Sequence, residues 1–226
     1  MCRLRGTIIY FRCNLAGALD RACSSQRKGD DFHPRLRVGR LIISTAVTVN
    51  GAFEAPSPSG WLVLDADSQQ ASLEMWQAAD AMVIGRKTYE GLAAVWPQLA
   101  VVPGYEAYAQ RMNSMPKYVA SRTLREPLTW QATLLQGDLA DSVRSIKEKH
   151  QGSLIVTGAG ELARNLITQN LVDEFWFTVS PYLWPSGPRV FDELSAIPLE
   201  LIATRTFAAG VVQLCYRRAD AVPSHG

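Results

Sequence analysis

The chain has 226 residues, 47% of them hydrophobic and 19% charged, the balance of a globular protein long enough to bury a sizeable core. No run reaches the roughly 18 consecutive apolar residues of a membrane span, and the short stretch Gly6–Phe11 is cut by Arg12, so neither a spanning segment nor a secretory leader is expected and the protein reads as cytoplasmic. The net charge of +2 is unevenly placed: residues 1–40 hold nine Lys/Arg against three Asp, leaving fourteen Lys/Arg against eighteen Asp/Glu in the rest, which argues against a broad nucleic-acid surface on the main domain.

Three of the four cysteines, Cys2, Cys13 and Cys23, fall in the basic leader at spacings that match no zinc pattern. Cys215 lies in the apolar run Val211–Tyr216 and reads as a buried strand residue. Neither a disulfide framework nor a metal site is expected, consistent with a reducing compartment. Residues 1–38 have little periodicity and read as a poorly ordered basic extension; an arm that touches phosphate or a partner is the other reading. Residues 39–218 read as the main domain and 219–226 as a tail.

Regular structure is predicted from the β-rich run Arg40–Val47. Asn50-Gly51 marks a turn, and a loop with Pro56 and Pro58 follows. From about Asp67 to Ala79 the period becomes helical, with Leu73, Trp76 and Ala79 on one face and Asp67/Gln70 resembling a capping box. Ala81–Gly85 reads as a strand, Arg86–Leu92 as the start of a helix, and a tyrosine-rich helix spans roughly 104–114. Lys117–Ser121 is a strand; Leu139, Val143 and Ile146 mark a helix. Ser153–Thr157 is a strand, and Leu162, Leu166 and Ile167 mark the next helix. Glu174–Ser180 is another strand, and Leu199–Phe207 with Val211–Arg217 form a hairpin around Ala208-Ala209-Gly210. Strands alternating with helices predict an α/β domain whose mainly parallel sheet is covered on both faces. Ligands in such sheets sit at the carboxyl ends of the strands.

Three motifs fall at such ends. In Val83-Ile-Gly-Arg-Lys-Thr-Tyr-Glu a buried strand ends in Gly85 and a helix starts at once, so free N–H groups and the helix dipole favour an anion. Arg86 and Lys87 add charge and Thr88 a hydroxyl; a plain turn with exposed basic residues is the alternative. Ile155-Val-Thr-Gly-Ala-Gly-Glu-Leu-Ala repeats the logic with Gly158, Ala159, Gly160, Glu161 and Leu162, and also fits a tight turn that needs glycine dihedrals. It satisfies G-x-G-x-x-[GA] but lacks the acidic residue a full dinucleotide fold places about 20 positions on. Ser121 and Arg122 end a third strand and, with Arg86, could clamp an extra phosphate.

These motifs, in this order over residues 39–218, resemble the dihydrofolate reductase superfamily. The reductase domain of the bacterial riboflavin-biosynthesis deaminase–reductase and its stand-alone relatives look most similar. Asp80–Gly91 resembles the family's cofactor-binding strand–helix junction, Gly158–Ala163 its second glycine turn, and Leu171–Phe175 with Ser180–Phe191 the stretch after it. The resemblance implies a three-layer α/β/α fold with a mainly parallel mixed sheet and a C-terminal antiparallel hairpin. It implies an NADPH-dependent oxidoreductase that transfers hydride to a pteridine- or ribosylamino-pyrimidine-like heteroaromatic, acting as a homodimer without nucleic acid or membrane.

By motif matching, Gly85, Arg86, Lys87 and Thr88 would hold cofactor phosphates, and Ser121 and Arg122 would neighbour the 2′-phosphate. Gly158 to Leu162 would face the pyrophosphate and nicotinamide. Thr45 and Ala46 would lie beside the nicotinamide, and Asn50, Gly51 and Trp61 beside the substrate; Trp61 could instead anchor packing. Two departures stand out. The carboxylate that dihydrofolate reductases place on the helix before the junction falls near Gln69, leaving Asp65 and Asp67 as the catalytic candidates, though Asp67 is also a simple cap. Asn50-Gly51 replaces the Asp-Gly usual in the riboflavin enzyme, and the deaminase zinc pattern is absent. Glu54 and Glu74 read as solvated, and His33, His150 and His225 are poorly placed as general bases. A non-catalytic NADPH-binding or sensor protein on the same fold is the alternative function.

Overall fold

The computed structural model describes residues 39–53, 60–63, 65–192 and 194–219. The basic extension, Glu54, the Pro56/Pro58 loop and the tail from 220 onward lie outside these described residues.

The strands are β1 Leu41–Thr48, β2 Ala79–Gly85, β3 Lys117–Ala120, β4 Ala132–Leu134, β5 Ser153–Thr157, β6 Glu174–Ser180, β7 Leu199–Thr206 and β8 Val212–Arg218. The helices are α1 Ala66–Ala78, α2 Arg86–Leu99, α3 Glu106–Ser114, α4 Leu139–Lys149 and α5 Glu161–Thr168. One sheet runs β4-β3-β2-β5-β1-β6-β8-β7. It is parallel from β4 to β6, and the β8–β7 hairpin adds an antiparallel edge.

Side chains alternate across a strand, so each central strand feeds two cores. Leu41 and Ile43 of β1, Val83 of β2 and Val156 of β5 pack under α4 and α5, meeting Val143, Ile146 and Leu166. Ile42, Met82, Ile84 and Ile155 face the other way, toward Trp76 of α1, Leu92 and Trp96 of α2 and Met112 of α3. The result is the expected three-layer arrangement. Burying one such aliphatic side chain contributes about 1.5–3 kcal/mol.

Polar contacts fix the amino-terminal edge of the sheet. The buried Glu174 pairs with Arg40 and accepts from the Trp176 indole at 2.9 Å. Asp173 accepts from the Leu41 N–H at 2.7 Å and from Lys147 Nζ at 2.6 Å. His150, at the end of α4, bonds Tyr118 Oη at 2.9 Å and lies 3.5 Å from Asp80, at the edge opposite the strand ends that carry the motifs.

Two local expectations change. The residue that caps α1 is Asp65, not Asp67: Asp65 Oδ1 accepts from the Ser68 N–H at 2.8 Å, and Asp67 is an exposed first-turn acid. Strand β4 was not anticipated, because three residues carry no readable alternation and the chain enters them through Trp130 and Gln131 at φ 58° and 54°.

Candidate active site

Strands β1, β2, β3, β5 and β6 present their carboxyl ends to one side of the sheet, and a cleft of about 1310 Å³ opens there. That is larger than a typical single-ligand pocket of about 300–1,000 Å³, with room for an extended cofactor and a second ring.

One half is built by two glycine turns. Gly85 ends β2 and stands at the N-cap of α2, Gly160 stands at the N-cap of α5, and neither helix has a side-chain cap. By contrast α1 is capped by Asp65, and α4 by Asp138, which accepts from the N–H groups of Ala140 and Asp141 at 2.9 and 3.1 Å. Leaving two helix amino termini uncapped at one cleft concentrates free donors and positive dipole ends. The turns adjoin: a Cβ at Gly85 would lie 3.8 Å from Leu162 Cβ. Gly158 has φ +90°, and neither it nor Gly160 has an atom within 4 Å of where a Cβ would point, so both backbones face open cleft. The Gly158 N–H donates to the Ser44 carbonyl at 3.1 Å, tying this turn to β1.

Charge gathers on the same half. Arg86 Nη1 meets both oxygens of Glu90 at 3.1 Å, and Lys87 and Thr88 share its cleft-lining turn. Ser121 Oγ accepts from the N–H groups of Thr123 and Leu124 at 3.1 and 3.0 Å, which sets the bend after β3. Arg122 reaches across to Glu161 at 3.4 Å. Ala159, Thr45 and Ala46 complete the wall between the two halves.

The other half lies between α1, α3 and the β7–β8 hairpin. Ser68, Gln69, Ser72, Met75 and Trp76 of α1 line it, the i, i+1, i+4, i+7, i+8 spacing of one helix face. Tyr108 of α3 places its hydroxyl 2.8 Å from Ser72 Oγ. Burial pushes the Tyr108 hydroxyl up to about 12, against the opposing effect of hydrogen bonds to Ser72 and Trp76. Trp61 is 1% exposed and lines the cleft, and its indole N–H has no partner among the described residues. Gln213 of β8, buried, sits across the strand pair from Thr178.

The cleft thus brings together the predicted cofactor residues of all three motifs, with Thr45, Ala46 and Trp61. It does not include Asp65, Asp67, Asn50 or Gly51. Asp65 spends both oxygens on backbone, the second accepting from the Ala209 N–H at 2.9 Å. Burial raises its carboxyl, but the Ser68 and Ala209 N–H groups outweigh that and hold it below the usual range. Asn50 is a latch: Oδ1 accepts from Thr48 Oγ1 at 2.8 Å and the Trp184 N–H at 3.0 Å, while Nδ2 donates to the Trp184 carbonyl at 2.9 Å. An Asp there could not make the last bond, which accounts for Asn-Gly in place of Asp-Gly. Gly51, at φ +82°, accepts from the Val190 N–H at 2.8 Å in the same latch.

Ser72, Tyr108, Gln213 and the Met75/Met112 pair were missed. The α1 face was readable from its spacing. Pairing it with Tyr108, which is 36 residues away, required the tertiary fold.

The donor set fits a nicotinamide dinucleotide: two glycine-led helix termini for a pyrophosphate and exposed guanidinium groups for a further phosphate. Among the described residues no helix is long and apolar enough to cross a membrane.

Comparison with known proteins agrees with this architecture. Protein YyaP of Bacillus subtilis is 28% identical over 183 residues, covering 80% of this chain and 96% of that protein. The solved structure of RibD from Acinetobacter baumannii is 13% identical with a TM-score of 0.60, covering 82% of this chain and 59% of that one. Dihydrofolate reductase from Enterococcus faecalis, solved with NADP(H), is 15% identical with a TM-score of 0.56 over 82% of this chain and 99% of that one. Both structural likenesses speak to the fold. The family model described as the RibD C-terminal domain matches residues 40–213, and the chain belongs to that family.

Proposed function

We propose that the protein is an NADPH-dependent reductase of a pteridine- or pyrimidine-like heteroaromatic. The observation that carries this reading is the convergence of two uncapped, glycine-led helix termini on one cleft, beside a second, aromatic-lined compartment. In this reading Gly158, Ala159, Gly160 and the first-turn N–H groups of α5 hold the pyrophosphate. The start of α2, with Arg86 and Thr88, binds phosphate. Ser121 and Arg122 flank the 2′-phosphate. Thr45 and Ala46 separate the cofactor ring from the substrate compartment.

When bound, the dinucleotide supplies the hydride, and the chain positions the two rings and excludes water. The Tyr108 hydroxyl keeps its proton at neutral pH and, with Ser72, offers a hydrogen-bonding pair to the substrate edge. Assembly as a homodimer, which the superfamily resemblance implies, is part of the proposal and is checked by light scattering.

A second reading, NADPH binding without turnover, has one observation in its favour: neutral Gln69 lines the cleft where a dihydrofolate reductase would place a carboxylate. NADPH and NADH titrations followed by NADPH oxidation across pteridines and ribosylamino-pyrimidines separate the two. Tight NADPH binding with turnover is expected. Binding without turnover on any compound selects the second reading, and no NADPH binding rejects both.

A further inference from the structure

Charge is sharply divided along the cleft. Arg86, Lys87, Arg122, Arg164, Asp138 and Glu161 line the half built by the glycine turns. The α1–α3 half is lined by Ser72, Met75, Trp76, Tyr108, Met112 and Gln69, all uncharged.

The sequence makes this division firmer than lining alone. From Val49 through Gly85, which runs from the end of β1 through α1 to the end of β2, there are five acidic residues and no Lys, Arg or His. This stretch therefore brings no guanidinium or ammonium to the substrate compartment. Among the described residues the nearby cations are engaged, and Arg189, beside the cleft-lining Pro188, donates to the Trp184 carbonyl at 3.0 Å. Arg111 of α3 donates to the carbonyls of Trp76 and Ala79. Arg205 of β7 pairs with Glu74 at 3.7 Å and stacks 5.1 Å from the Phe207 ring.

Phosphate is bound in proteins by cations, helix amino termini and backbone nests. Here the cleft's two uncapped helix termini stand in the cofactor half; of the two helices that border the substrate half, α1 has its amino terminus closed by Asp65, and the first residues of α3, which has no side-chain cap, do not line the cleft. A phosphate placed against α1 would meet hydroxyls, a carboxamide and thioethers in a partly desolvated space, with a net negative segment behind it. Leaving a charge there without a partner is strongly unfavourable.

We infer that the substrate compartment selects an uncharged, unphosphorylated planar ring, and rejects the same ring carrying a phosphate tail. This rests on the reductase reading for which half of the cleft holds the cofactor. Gln69 is the position on α1 that marks this: it lines the cleft as a neutral carboxamide and offers no ionic partner to a cationic or anionic group. Trp76 and Trp96 form the apolar floor against which a flat ring packs.

The test uses the full chain saturated with NADPH, whose binding is followed separately by its own fluorescence. Lumazine and 5-aminouracil, and each ring bearing a ribityl phosphate, are titrated while tryptophan emission is recorded, since Trp61, Trp76 and Trp96 line the compartment. The unphosphorylated rings are expected to bind at least about tenfold more tightly than their phosphorylated partners. Gln69→Arg, which adds a guanidinium to the same helix face, is expected to close or reverse that gap. The inference is overturned if the wild type binds a phosphorylated ring as tightly as its parent, if neither parent ring binds, or if folded Gln69→Arg leaves the gap unchanged. Loss of NADPH binding itself would instead remove the reductase reading.

Discussion

Arg122 Nη2 lies 3.4 Å from Glu161 Oε1, bridging the end of β3 and the first turn of α5 with side chains 92% and 75% exposed. A pair this exposed holds its partners weakly, by about 0–1 kcal/mol, so the guanidinium is available to a stronger anion. Glu161 also stands at a helix amino terminus, where it would compete with a bound phosphate. Arg122→Ala is expected to weaken NADPH by about ten- to hundredfold, the worth of one charged hydrogen bond of about 1.5–3 kcal/mol, and to leave NADH nearly unchanged. Glu161→Gln should tighten NADPH a few-fold. Fluorescence titration of both cofactors decides it; equal losses for NADPH and NADH would remove Arg122 from the 2′-phosphate site.

The two glycines of the second turn make separable predictions. Gly160 has φ −77°, a backbone open to any residue, whereas Gly158 at φ +90° lies in the left-handed region. Gly160→Val should therefore keep its melting temperature within a few degrees and lose NADPH binding, because the new branches fill the cleft beside the α5 terminus. Gly158→Val should lose binding and also stability, by roughly 1–3 kcal/mol of backbone strain. Gly160→Val with wild-type affinity would mean that the pyrophosphate does not sit against this turn.

The fold and the half of the cleft built by the glycine turns were legible because their signals are local. Gly85-Arg86 and Gly158-Ala159-Gly160 each join an apolar run to a helical period within a few residues, and the structure puts both junctions at neighbouring strand ends. The α1–α3 half was not, because its polar members come from distant elements: Ser72 meets Tyr108 only when α1 packs on α3. Asp67 reads as the cap of α1 from sequence, and the structure gives that place to Asp65, for a related reason. The sequence offered two acids before a helical period. Asp65 is the one that accepts from the Ser68 N–H, and its second oxygen is held by the Ala209 N–H, 144 residues away.

Tyr108 gives a prediction at high pH. Its hydroxyl is raised from about 10 to about 12, chiefly by burial. The protonated form is the one the fold accommodates, so its contribution to stability is complete below pH 10 and is lost as pH rises from 10 to 12. Burial also raises Cys215 to about 12 and Tyr118 above its ordinary value, so the informative quantity is the difference between variants. Tyr108→Phe should cost about 1 kcal/mol near neutrality, since Ser72 and Trp76 lose a partner, and that deficit should shrink or reverse between pH 10 and 12. A deficit that stays constant in urea melts across this range would show that Tyr108 ionises as freely folded as unfolded.

The two acids at the head of α1 divide structure from function. Asp65 closes the helix through Ser68 and holds the hairpin turn through Ala209. Asp67 makes no cap and lies outside the cleft. Asp65→Asn keeps one acceptor for Ser68 but turns an NH₂ group toward the Ala209 N–H, donor against donor. It should cost about 1 kcal/mol, and Asp65→Ala, which loses both bonds, about 2 kcal/mol. Because the folded carboxyl is held below its usual range, the contribution of Asp65 is fully present above about pH 4 and falls away as pH drops through the depressed value. The gap between wild type and Asp65→Asn should therefore narrow below about pH 4. Asp67→Asn should be silent in both stability and NADPH oxidation. If Asp67→Asn instead abolishes turnover at an unchanged melting temperature, a carboxylate does serve the ring, the α1 face must present it in the liganded state, and the assignment of that face to Gln69 is wrong.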